Sequence, residues 1–197
     1  MIVDDAALLR RGLFLEYVTL AWNIVGVAVL AFAALNARSL ALAGFGADSL
    51  IEILASAVVI WQLKGIGKAR EPVALGVIAA AFALLAIYIV TQAAYLFWSG
   101  ARPSPSIPGM AWLAATVAAM LALAGCKNAT GRRLDNQVLI SEAGVTKVDA
   151  YLAASVLIGI SANTLLGWWW ADPASSLLIG FYALREARAA WGHARSA

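Results

Sequence analysis

Apolar residues in this chain neither alternate as in a strand nor mark one face of a surface helix. They come in long runs, interrupted by short clusters of charge, proline and glycine. Six runs stand at about 13–35, 40–63, 73–98, 109–126, 138–167 and 173–191. Each is near the roughly 20 residues that cross about 30 Å of hydrocarbon as a helix. The pattern predicts an all-α polytopic membrane protein with six transmembrane helices. Connections are short, the longest being "SGARPSPSIPG" after the third run.

Composition narrows the class further. Of 197 residues, 63% are hydrophobic and 13% charged, with mean hydropathy +0.83, whereas about a quarter of a soluble domain is charged. A single transmembrane domain over 1–197 is expected, with no soluble domain after the last run. The N-terminal "MIVDDAALLRRGLFLEY" places acids before its arginines and lacks a small-residue cleavage site, so it reads as the approach to a helix, not a signal peptide. Cys126 is alone and has no internal disulfide partner. The sole histidine, His193, falls in the final tail. No Ser/His or Cys/His constellation, Gly-rich phosphate loop or two-His metal motif occurs, so neither an enzyme nor a prosthetic group is expected.

Charge gives an orientation. With six spans both termini share a side, and that side collects Arg10, Arg11, Lys64, Lys68, Arg70, Lys127, Arg132, Arg133, Arg185, Arg188 and Arg195, against Arg38 and Arg102 on the other. The positive-inside rule then puts both termini in the cytoplasm, and the inner membrane of a bacterium is the expected location. Anionic lipid headgroups account for the net charge of +3, so no nucleic-acid partner is implied. Tryptophans agree with this layout: Trp61 and Trp191 fall at inner ends, and Trp98, Trp112 and Trp168 to Trp170 at outer ends, as in an aromatic belt. Only Trp22 sits deep in a span.

Most acids lie in tails, loops or helix ends, and Glu16 near the inner mouth of the first run. Asp48, Glu52, Glu142 and Asp149 fall within or close to the membrane. A charge at the centre of a membrane helix costs about 3 kcal/mol on insertion scales, so such groups usually face a polar pathway or a partner. Asp48 and Glu52 are four apart and share a face. Glu142 and Asp149 are seven apart, about two turns, and also share one. Asp48, Glu52, Asp149 and Asn23 are expected at one depth near the membrane centre. Three carboxylates packed together in low dielectric cannot all stay ionised unless a cation joins them, so such a cluster binds either a metal ion or protons.

Neighbouring residues leave alternatives open. Lys147 lies about 200° around its helix from Asp149, and is expected to face another helix or the inner headgroups, or else to act as a tethered counter-charge. Glu142 either receives the ion before Asp149 or pairs with Arg132, Arg133 or Lys147. Gly44 and Gly46 allow close helix packing or flexing beside the ligands. Setting Glu52 over Asp149 aligns "EILASA" with "DAYLAA", a weak inverted repeat of the kind found in secondary carriers.

The segments "NARSLALAGFGADSLIEILASA", "GRRLDNQVLISEAGVTKVDAYLAASVLIG" and "GWWWADPASSLLIGFYALREA" together resemble the transmembrane domain of the cation diffusion facilitator family. The likeness runs from about 16 to 190, with the same order and spacing of helices. It implies one divalent metal ion bound midway across the membrane by side chains of the second and fifth helices. Carried over, these are Asp48, Glu52 and Asp149, while the fourth ligand position falls on Val145. Asp172 and Pro173 match the start of the family's sixth helix. Asn23, Ser49, Thr146 or water would complete the shell, with Glu142 as an accessory acid. Resemblance suggests zinc, whereas an all-oxygen donor set suits manganese, magnesium or iron as well. Family members commonly add a cytosolic domain after the sixth helix that dimerises. None follows here, so a homodimer would form through membrane helices, with the third and sixth outside the core and Ala79, Ala80 and Ala81 allowing close approach.

The expected function is a secondary transporter that exports a divalent metal cation and returns protons. The alternative is a non-transporting binding or regulatory membrane protein that keeps the fold, with Val145 where a ligand would sit.

Overall fold

A computed structural model describes residues 2–37, 40–65, 70–100, 106–168 and 170–196. Arg38, Lys68, Arg102 and Trp169 lie outside the described residues, as do the side chains of Asp4, Asp5 and Asp172. The regular elements are α1 (Ile2–Ala37), α2 (Leu40–Leu63), α3 (Glu71–Ser99), α4 (Ile107–Arg133), α5 (Gln137–Leu166) and α6 (Ala171–Ser196). The chain is an all-α membrane protein, and five helices, α1 to α5, are long and apolar enough to cross a bilayer. On its described residues α6 is not among those five. Arg185, Glu186, Arg188, His193 and Arg195 crowd its second half, although the helix lies alongside α3 and α5.

Local chemistry sets the helix ends. Ser106 caps α4 by accepting a hydrogen bond from the Gly109 amide at 3.3 Å, and Asn136 caps α5 by accepting from the Leu139 amide at 2.9 Å. Gly100 and Gly167 close α3 and α5 in the left-handed conformation, with φ of 61° and 69°, which costs a residue without Cβ little.

Cross-contacts give the helix directions. Gly12 sits against Leu63, Thr130 and Leu139. Further along α1, Glu16 meets Lys127, and Trp22 meets Thr116. As α1 advances, its partners on α4 recede, so the two helices run antiparallel. Gly44 of α2 packs on Tyr88 and Gln92 of α3, and Gly180 of α6 packs on Ile89 and Val90 of α3. The helices therefore alternate up and down, with α3 and α6 paired along their lengths.

Apolar side chains cover the outside as well as filling the core, unlike in a soluble domain. Phe14, Phe32, Leu35, Ile87 and Phe181 are all more than 60% exposed, the surface expected of helices that face lipid chains. The interior holds Glu16, Asp48, Glu52, Lys127, Glu142 and Asp149, each almost fully buried.

Three expectations change here. Helix α4 continues past residue 126 to Arg133, because Lys127, which ends the apolar run, turns into the bundle and is neutralised there. Ala79 and Ala81 are buried within the chain, where α3 packs against α6 of the same chain, whereas Ala80 stays exposed. Trp112, placed in the outer belt by its position, stacks on Trp22 with ring centroids 4.9 Å apart. Trp61, Trp98, Trp168, Trp170 and Trp191 are exposed at helix ends.

Candidate ion site

The polar interior begins where α1, α4 and α5 meet. Lys127 Nζ lies 2.6 Å from Glu142 Oε1 and 3.2 Å from Glu16 Oε2, and donates to Thr146 Oγ1 at 3.2 Å. All three charged side chains are fully buried. Glu142 thus pairs with Lys127, in place of the expected Arg132, Arg133 or Lys147. Ser56 of α2 donates to Glu142 Oε1 at 3.4 Å.

From there the chain of polar groups runs deeper. The Thr146 hydroxyl lies 2.6 Å from Glu52 Oε1, and 3.2 Å from Glu142 Oε1. Glu142, Thr146 and Asp149 share a face of α5 by their spacing of four and three. Asp48, one turn before Glu52 on α2, brings its carboxyl close to that of Asp149 without a hydrogen bond between them. Five carboxyl groups and one lysine therefore form a continuous buried path contributed by α1, α2, α4 and α5.

The path is underfilled with donors. Glu16 Oε1, Asp48 Oδ2, Glu52 Oε2, Glu142 Oε2 and both oxygens of Asp149 are buried without a hydrogen-bond partner. An unpaired buried polar atom costs about 1–3 kcal/mol, and more if charged. One lysine cannot balance five ionised carboxylates in low dielectric, so the remaining charge calls for protons or a cation. The donor set is entirely oxygen, the chemistry that suits hard divalent cations.

The sequence candidates are distributed along this path. The structure brings Asp48 to Asp149, and Glu52 and Glu142 to Thr146. Among the described residues, no three His, Cys, Asp or Glu side chains are gathered closely enough to hold one metal ion in this conformation. Asn23 is buried and its amide donates back to the Thr19 carbonyl at 3.1 Å. Ser49 likewise donates to the Phe45 carbonyl at 3.5 Å. Val145 belongs to the apolar core. Lys147 points away from Asp149, its Nζ 5.6 Å from the centroid of the Tyr151 ring.

Two members of the path are not legible as such from position alone. Glu16 and Lys127 each sit near a run boundary, where water or headgroups are the default surroundings. Their spacing gives no signal, because Lys127 is 111 residues from Glu16 and 15 from Glu142. A signal is present only in α4 itself: Lys127 and Thr130, three apart, continue the helix face that carries Leu113, Thr116, Met120, Leu123 and Ala124.

No family model matches the sequence. The chain is similar to Transmembrane protein 163 of Xenopus laevis, with 24% identity over 181 residues. The match covers 87% of this chain and 63% of that protein, so the chain spans less than two thirds of the relative's length. Both the distant similarity and the five long apolar helices mark an integral membrane protein.

Proposed function

We propose that the chain is a secondary transporter that exports a divalent metal cation in exchange for protons. The observation that carries the reading is the buried path of five carboxyl groups with six unpartnered oxygens and one lysine. A membrane protein that needed these acids only for packing would supply each with donors. The resemblance of the α2, α5 and α6 segments to the cation diffusion facilitators supports the same reading, and points to zinc, manganese, cobalt, cadmium or iron(II) as cargo.

Asp48, Glu52 and Asp149 hold the ion when ionised and release it when protonated, since the same oxygens serve both ligands. Binding requires α2 and α5 to shift so that Glu52 leaves Thr146 and joins Asp48 and Asp149. Glu142 and Glu16 form the way in from the basic end of the bundle. Lys127 balances these two acids between passages of the ion. The basic end faces the cytoplasm with both termini, and two copies associate through their membrane helices.

A second reading has its own observation. Lys127 already supplies a buried cation and Val145 stands at the fourth ligand position, as in a membrane protein that binds or regulates without transporting. Metal uptake into proteoliposomes loaded with a pH-sensitive dye separates the two. Saturable uptake with proton counterflow, lost in Asp149→Asn, supports the carrier. Equal inertness of wild type and variant toward every metal, with folded protein in the vesicles, favours the second reading.

A further inference from the structure

Helix α5 carries chemistry on two faces. Glu142, Thr146 and Asp149 face the acidic path, whereas Ile140, Gly144 and Lys147, at spacings of four and three, line a cleft between α4, α5 and α6. The cleft encloses about 420 Å³, within the range of small-ligand sites. Ala124, Gly125, Ala143 and Gly144 make its walls thin. Its polar groups are Asn128 and Arg132 from α4, Lys147 from α5, and Tyr182 and Glu186 from α6. None of these belongs to the acidic path.

Charge and depth define what fits. Arg132 and Lys147 are positive and Glu186 negative, so the cleft carries a formal charge of two minus one, or +1. Among the described residues Lys147 makes no ion pair, its ammonium lying 5.6 Å from the centroid of the Tyr151 ring, while Tyr182 and Glu186 lie close together on the α6 wall. Arg132 Nε donates to Asn128 at 3.2 Å, which fixes the guanidinium at the cleft edge. Lys147 lies about 15 Å along α5 from its first residue, at 1.5 Å per residue, so its ammonium is drawn toward the basic end of the bundle. Leu121, which lines the cleft, is exposed on its outer side.

We propose that this cleft binds the phosphodiester headgroup of an anionic phospholipid from the leaflet at the basic end of the bundle. A phosphodiester carries one negative charge, which matches the +1 of the cleft, and its acyl chains continue along the exposed Leu121. Basic pockets between transmembrane helices are suited to such headgroups. The shared chemistry with free phosphate is the oxyanion; the lipid is favoured because the cleft lies between helices that expose apolar side chains, and one of these, Leu121, lines it. The inference is independent of transport, and its test reads lipid binding alone.

Delipidated protein is titrated with phosphatidylglycerol or phosphatidylcholine and followed by native mass spectrometry, with inorganic phosphate and glycerophosphate added in parallel thermal-shift arms. Phosphatidylglycerol is expected to bind in preference to phosphatidylcholine. Lys147→Gln and Arg132→Gln should each weaken phosphatidylglycerol by about fivefold, the effect of one basic residue near an anionic surface. Glu186→Gln, which removes the opposing charge, should tighten it and keeps the test informative if a basic-residue variant folds poorly. Equal binding of the two lipids, or indifference to all three substitutions, overturns the proposal. Stabilisation by inorganic phosphate equal to that by phosphatidylglycerol also overturns it, by assigning the cleft to a soluble anion.

Discussion

Lys127 Nζ and Glu142 Oε1 lie 2.6 Å apart with both side chains fully buried, and this pair joins α4 to α5 at the mouth of the acidic path. Its geometry makes the lysine the counter-charge for a region otherwise made of acids. Removing one partner of a buried pair leaves an uncompensated charge and costs about 3–5 kcal/mol.

Lys127→Met is therefore expected to lower the melting temperature in detergent sharply. Adding Glu142→Gln to the same variant should restore part of the loss, because the double change removes one of the two acids that Lys127 balances and leaves Glu16 stranded. A double-mutant cycle on thermal unfolding checks this, and strictly additive losses would contradict the pairing.

Asp149→Asn should behave in the opposite way for stability. Both Asp149 oxygens lack a partner and the carboxyl faces Asp48, so an amide relieves like-charge repulsion and supplies a donor. Unfolding temperature is expected to hold or rise while metal uptake falls at least about tenfold, the equivalent of 1.4 kcal/mol. A variant that unfolds as readily as it loses uptake would show the acid to be structural.

Thr146→Val removes the hydroxyl that lies 2.6 Å from Glu52 Oε1 and receives the Lys127 ammonium at 3.2 Å. Glu52 then has neither oxygen satisfied, at a cost of about 1–3 kcal/mol. Thr146→Ser keeps the hydroxyl and should remain within a few tenths of wild type after allowance for the lost methyl. Chemical denaturation of the three proteins side by side provides the comparison.

Gly44 tests the α2–α3 contact. A Cβ there would run into the Tyr88 hydroxyl, with Gln92 Nε2 at 2.8 Å, so Gly44→Ala is expected to destabilise by about 1–3 kcal/mol, as overpacking does. Tyr88→Phe removes the obstructing oxygen and should recover part of that loss. If Gly44→Ala instead raised the melting temperature, helix propensity rather than packing would govern the position.

Much of the architecture was legible because lipid imposes a simple rule: a chain without water must satisfy its backbone within each helix. Run length alone therefore gave the helices, and the rarity of acids inside such runs singled out Asp48, Glu52, Glu142 and Asp149. The stacking of Glu142 with Asp149 and the outward turn of Lys147 both follow from 3.6 residues per turn.

What the linear order left undecided is which helix meets which, and at what level. Lys127 reads as a basic residue at a membrane edge until Glu16 and Glu142 surround it from distant parts of the chain. Asp48 shares a face with Glu52, four residues away, but its nearness to Asp149 and the bond of Glu52 to Thr146 come from another helix. Sequence by itself determined the medium, the helices and the acids they carry, because these depend on local composition and on the price of exposing polar groups to hydrocarbon. Tertiary structure alone decided the pairing of those acids and the cation among them, because charge compensation in low dielectric acts across a few ångströms of space regardless of separation along the chain.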